Sequence, residues 1–165
     1  AGGMKAIAPL GPFLTTVHAS GGAAMLRAAM AAAVTAGEGS GARPKVVAVT
    51  LLTSIDEADL PGLGMAGPVA DQVLRLADLA REAGADGVVC SAHEVRALRQ
   101  RCGDDFLLIV PGVRPAWSTA NDQKRIVTPA EAIAAGADYL VIGRPITQAS
   151  DPVEAASRIV DEMAG

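Results

Sequence analysis

The chain has 165 residues, half of them hydrophobic but only four aromatic (Phe13, Phe106, Trp117 and Tyr139), so its core must be built from Ala, Val, Leu and Ile. Its length suits one domain, its net charge of −4 argues against a general nucleic-acid binder, and no apolar run approaches the roughly 20 residues that a membrane helix needs. Cys90 and Cys102 stand apart without metal-ligand or redox spacing, and no signal-peptide pattern opens the chain, so a soluble protein of the reducing cytoplasm is expected.

In chain order, AGGMKAIAPLG reads as the tail of a helix ending near Gly11, as if the chain started inside an element. FLTTVHA from Phe13 is the first strand, followed by a helix from Gly21 to about Ala36 and a Gly-rich loop, AGEGSGARP. KVVAVTLLT from Lys45 is the second strand. The acidic run Asp56, Glu57 and Asp59 after it reads as a solvated helix start. The next helix, GPVADQVLRLADLAREAG from Gly67, places Val69, Val73, Leu74, Leu76 and Leu79 mostly on one face and turns Arg75, Asp78, Arg81 and Glu82 to water. Then come strand GVVCSA from Gly87, helix AHEVRALRQRCG from Ala92, strand FLLIVPGV from Phe106 and the loop RPAWSTANDQKR from Arg114. Helix TPAEAIAAG, strand YLVIGRPI from Tyr139 and helix DPVEAASRIVDEM complete the chain.

The five apolar runs are nearly continuous, as in parallel strands covered on both faces. Thr128-Pro129 and Asp151-Pro152 place a cap before a first-turn proline, with Glu131 and Glu154 three residues after the caps. Gly84 and Gly136 stand where a left-handed C-terminal cap is needed, and each opens an Ala-Asp step into a strand, AGADGVV and AGADYLV. This weak repeat and the strand–helix alternation predict parallel βαβ units. At about 33 residues per unit, eight units would come to about 260, near the roughly 250 of a (β/α)8 barrel. VHASGG lacks the glycine fingerprint of a dinucleotide-binding open sheet. The predicted fold is therefore α/β, a (β/α)8 TIM barrel of which residues 1–165 form one partial domain holding about the last five units.

Ligands of parallel α/β folds gather at the C-terminal strand ends. Here these carry His18, Thr53-Ser54, Cys90-Ser91, Pro111 to Arg114 and Gly143-Arg144. If these are the last five strands, the two arginine-bearing ends belong to strands seven and eight, whose loops often hold phosphate. Gly143 would admit a close backbone approach to an anion and Arg144 would supply a charged planar fork, against the plainer alternative of a rim arginine. Gln123, in the long polar loop, could donate to phosphate and accept from a base, while Lys124 and Arg125 are readable as solvated insertion residues. Trp117 is a lid or a packing anchor. His18 and His93 lack an identifiable carboxylate partner and read as structural or exposed, and Cys90 as a small buried hydrophobe. Thr53 could bond a polar ring edge or merely finish its strand.

The segments VHASGG, AVTLLTS, DGVVCSAHE, VPGVRP, NDQKRIVTPAEAIAAGADYLVIGRPI and the closing DP resemble, in order and spacing, those of bacterial orotidine 5′-phosphate decarboxylases over essentially the whole chain. The resemblance implies a barrel that converts orotidine monophosphate to uridine monophosphate, a homodimer without metal or organic cofactor, with these nucleotides as its small-molecule partners. It implies that Arg114, Gln123, Gly143 and Arg144 bind phosphate, that Gln123 also meets the pyrimidine, and that Thr53 contacts the base. In that family an Asp carboxylate stresses the departing CO2 and a Lys ammonium stabilises and protonates the carbanion. That array should precede VHASGG, where this chain has only AGGMKAIAPLG with Lys5, so no catalytic residue is assigned and the 165 residues alone are expected to be inactive or nearly so. A five-stranded piece should also leave two parallel edges unpaired. Two alternatives stay open: another phosphate-binding barrel lyase or epimerase, and a non-catalytic barrel fragment.

Overall fold

Each of the five apolar runs forms a strand, and every strand is shorter than its run. A computed structural model describes residues 1–38, 43–118 and 127–164. The strands are β1 (Leu14–His18), β2 (Lys45–Val49), β3 (Gly87–Val89), β4 (Leu107–Pro111) and β5 (Tyr139–Val141). All pair in parallel, in sequence order, which leaves β1 and β5 at the edges of the sheet described here.

The helices are α1 (Gly2–Ile7), α2 (Gly22–Gly37), α3 (Val69–Glu82), α4 (Val95–Cys102), α5 (Pro129–Ala135), α6 (Arg144–Thr147) and α7 (Pro152–Ala164). Their ends follow the sequence signals. Thr128 and Glu131 form the reciprocal capping box of α5, and the Asp151 carboxylate accepts the Val153 and Glu154 N–H groups, both at 3.0 Å. Gly84 and Gly136 turn the chain with positive φ. The opening segment is helical, with a 3-10 turn closing at Gly11, as its composition suggests.

Two details depart from the expected pattern. YLVIGRPI is not strand to its end, because Gly143 leaves the extended path (φ −102°, ψ −95°) and Arg144-Pro145 open the short α6. Proline has no N–H for a strand ladder and its φ already suits a first helical turn. KVVAVTLLT likewise stops at Val49. Thr50 ends it, donating its N–H and its hydroxyl to the Val89 carbonyl at 3.2 and 2.9 Å.

One side of the sheet is dry. Ala48, Val88, Leu108 and Val110 are fully buried with Ala77, Ala80, Val95 and Leu98 of the covering helices, so aliphatic strands meet small helix residues. Alternation sends Val47, Val49, Val89, Ile109, Tyr139 and Val141 to the other side. The sheet curls about that second side. In a flat sheet the outer two of five strands would lie about 19 Å apart. Yet the rings of Phe13, just before β1, and Tyr139, at the start of β5, are 5.8 Å apart. That curvature suits a barrel arc and not an open sheet.

The AGAD repeat has a mechanical meaning. Asp86 and Asp138 each reach sideways to the strand before their own: the Asp86 carboxylate accepts the Val46 N–H (2.8 Å) and the Asp138 carboxylate the Leu108 N–H (2.7 Å). In return their backbone N–H groups donate to the carbonyls of those same residues at 2.9 and 3.0 Å. An arginine holds each carboxylate, Arg43 in a two-bond fork on Asp86 (2.7 and 2.6 Å) and Arg99 on Asp138 (2.8 Å).

Two tests follow from the sheet. A Cβ on Gly87 would lie 2.2 Å from the Leu107 carbonyl oxygen across the β3–β4 ladder, so Gly87→Ala should cost about 3 kcal/mol in chemical denaturation, because backbone must move. Burial pushes the Asp86 carboxyl up, but hydrogen bonds from Arg43 and Val46 and the charges of Arg43 and Lys45 outweigh it, leaving its pKa below the usual carboxylate range. A depressed folded pKa gives stability that is present above the ordinary carboxylate value and is lost as pH falls through the folded one. Asp86→Asn should therefore cost about 2 kcal/mol at pH 7, and the difference from wild type should close below about pH 4 in urea titrations.

Candidate functional site

The strand ends of β4 and β5 are neighbours in exact register terms, with Pro111 opposite Val141. Arg114 and Arg144 each stand three residues beyond those partners. A turn with Gly112 at φ 78° follows β4 and takes the chain into the buried Val113, Arg114 and Pro115. After β5, Gly143 accepts the Ile146 and Thr147 N–H groups at 2.8 and 3.0 Å, which fixes Arg144 as the first residue of α6.

The two arginines meet at one cavity of about 290 Å³, lined by Arg114, Trp117 and Ser118 from the β4 side and by Arg144, Pro145, Gln148 and Ala149 from the β5 side. None of the described lining residues is acidic. Arg114 is only 8% exposed, and its side chain donates to the Val113 carbonyl at 3.0 Å. A guanidinium has five N–H donors, so this one acceptor among the described residues does not exhaust its capacity to fork onto an oxyanion. The cavity is at the small end of ligand pockets, which suits a phosphate-sized group with part of its attachment. Two convergent cations in a partly desolvated space favour an anion strongly.

The walls are held from below. Arg114 donates its backbone N–H to Val127 at 3.0 Å, joining the two ends of the loop between them. Pro115 to Ser118 form a turn in which Ser118 donates both its N–H and its hydroxyl to the Pro115 carbonyl, at 3.0 and 3.1 Å. The Arg158 guanidinium of α7 sits over the Trp117 ring, 4.2 Å from its centroid. Trp117 is thus an anchored wall.

Of the other residues singled out in the sequence, Thr53 lies exposed in the turn after β2 and does not line this cavity, while Gln123, Lys124 and Arg125 lie outside the described residues. Gly143 is the N-cap residue of α6, where an added Cβ would meet nothing within 4 Å. His18 and His93 are exposed. Cys90 is buried, and burial above all pushes its thiol up to about 12, which removes it from nucleophilic chemistry at neutral pH. Asp56 and Asp59 make a local turn, accepting the Ala58 and Asp56 N–H groups at 2.8 and 3.0 Å. Sequence reasoning did not single out Pro145, Gln148 or Ser118. The spacing of Arg144 and Gln148, four apart, would have paired them had α6 been read as a helix.

A larger groove of about 1190 Å³ runs between α1, the start of β1 and α2, lined largely by Ala8, Pro9, Phe13, Ala28, Ala31 and Ala32. It lies at the N-terminal end of β1, away from the strand ends where ligands gather, and its described lining is mostly apolar, with Lys5, Thr35 and Arg43 among it. Among the described residues, no helix is long and apolar enough to cross a membrane.

The sequence profile of the orotidine 5′-phosphate decarboxylase / HUMPS family matches residues 2–159. An orotidine 5′-phosphate decarboxylase of Rhodospirillum rubrum is 61% identical over the whole chain, which covers 67% of that protein. One from Paramagnetospirillum magneticum is 59% identical over 99% of this chain and 70% of its own length. Among solved structures, the orotidine 5′-phosphate decarboxylase of Lactobacillus acidophilus superimposes with a TM-score of 0.86 at 43% identity, over 99% of this chain and 68% of that one. The chain thus spans about two thirds of the length of these relatives.

The state of Cys90 can be checked directly. In native protein at pH 8 a thiol reagent such as Ellman's should leave Cys90 unmodified over minutes, and its reaction should appear only when denaturant is added.

Proposed function

This chain belongs to the orotidine 5′-phosphate decarboxylase / HUMPS family, and from that premise we propose that it carries the phosphate- and base-binding part of an orotidine 5′-phosphate decarboxylase, which releases CO2 from orotidine monophosphate to give uridine monophosphate (UMP). The observation that carries the proposal is the convergence of Arg114 and Arg144, from adjacent strand ends, on one small cavity without acidic lining among the described residues.

Arg114 and Arg144 grip the substrate phosphate, and the Gly143 backbone approaches it. Gln123, assigned from the NDQKR string, bridges phosphate and pyrimidine, and Thr53 meets the base from the turn that follows β2. These groups position the nucleotide. Binding energy at a phosphate remote from the reacting carbon raises rate only when it is spent on desolvation and orientation there. The charged groups that act on the departing CO2 are an Asp and Lys set for which these 165 residues offer no matching motif. A polypeptide of these residues alone is therefore expected to bind nucleotide without robust turnover. No metal or organic cofactor is part of this proposal. A homodimer in the cytoplasm is the expected working form.

The second reading, a sugar-phosphate lyase or epimerase of the same architecture, uses the same anion cavity. The two separate on the base. UMP should bind the intact protein at least about tenfold more tightly than ribose 5-phosphate in calorimetry; equal affinities would favour the sugar-phosphate enzyme. Arg144→Ala should weaken UMP binding by about tenfold to a hundredfold, through loss of a charge-assisted fork, with little change in thermal stability because Arg144 is exposed. Decarboxylation at family rates by the purified 165-residue polypeptide would contradict the division of labour proposed here.

A further inference from the structure

The anion cavity has a wall built by a helix that contributes no lining residue. Ala116 and Trp117 follow directly on the buried Arg114-Pro115. Trp117 lines the cavity, and both residues are gripped by α7: the Arg158 guanidinium lies 4.2 Å from the centroid of the Trp117 ring, and the Glu162 carboxylate accepts the Ala116 N–H at 3.2 Å. Arg158 and Glu162 are four residues apart and so lie on one face of α7, one turn separating them. The same helix packs against α5 and α6, and Arg144 opens α6. One helix therefore touches the supports of both arginines.

We propose that Arg158 and Glu162 are positioning residues of the phosphate site, holding Ala116 and Trp117 so that Arg114 stays aimed at the cavity shared with Arg144. The inference rests on the phosphate-site assignment above and adds two residues that touch no substrate. A purely electrostatic influence and a positioning one differ in sign at Glu162. Removing a carboxylate near an anion site strengthens anion binding if only its charge matters. Removing the acceptor that fixes Ala116 weakens it if geometry matters.

The test is UMP affinity of the intact protein by calorimetry, with folding checked by circular dichroism and thermal melting. Glu162→Ala should weaken UMP binding by about threefold to tenfold although it deletes a negative charge, and Glu162→Gln, which keeps an acceptor oxygen, should stay near wild type. Arg158→Ala should weaken binding to a similar extent, with Arg158→Lys restoring most of it through the retained cation over the indole. Affinity unchanged or tightened in both Glu162→Ala and Glu162→Gln would overturn the proposal. Arg144→Ala separates the two levels: if it keeps wild-type affinity, the phosphate-site assignment itself fails, whereas if it loses affinity while Glu162→Ala does not, only the positioning role fails.

Discussion

The relation on which the site depends is the register of β5 against β4, and a single side chain sets it at the opposite end of the sheet. Asp138 donates its N–H to the Leu108 carbonyl and accepts the Leu108 N–H on its carboxylate, at 3.0 and 2.7 Å. A parallel ladder can slip along its strands unless something fixes a starting point. Asp138, steadied by Arg99, provides that point, and three residues later Val141 falls opposite Pro111. Arg114 and Arg144 then emerge at equal distances from paired residues. Asp86 repeats the arrangement between β2 and β3 through Val46 and Arg43. The AGAD repeat, a minor regularity in the sequence, is thus the device that brings distant loops level.

Curvature does the rest. A flat five-stranded sheet would spread its strand ends along a line, whereas this one curls until Phe13 and Tyr139 meet. Gly87 contributes by letting the Leu107 carbonyl come closer to β3 than any side chain would permit. The resulting arc aims successive strand ends inward, so loops from adjacent strands share a space instead of standing side by side. In that space a buried guanidinium and an exposed one face the same volume, and the first of them is held in place by turns and by α7.

The strands and most helix ends were legible because each rests on local chemistry: continuous aliphatic runs, Thr128 with Glu131, Asp151, and the glycines at positions 84 and 136. The arginine pair was legible because both strand ends could be located from the runs that precede them. α6 was not, since VIGRPI keeps its apolar character through the break, and only Pro145 after Arg144 marked a first helical turn. Thr50 rather than Thr53 proved to finish β2, because the ladder to Val89 ends four residues before the apolar run does. The grip of Arg158 and Glu162 on residues more than 40 positions earlier is a tertiary fact with no local signature.

The most direct measurement of the central claim is a crystal structure of the intact protein with UMP. The account predicts phosphate oxygens about 2.7–2.9 Å from guanidinium nitrogens of both Arg114 and Arg144, with Trp117 still beneath Arg158. A phosphate bound elsewhere, with either arginine turned away from it, would contradict it.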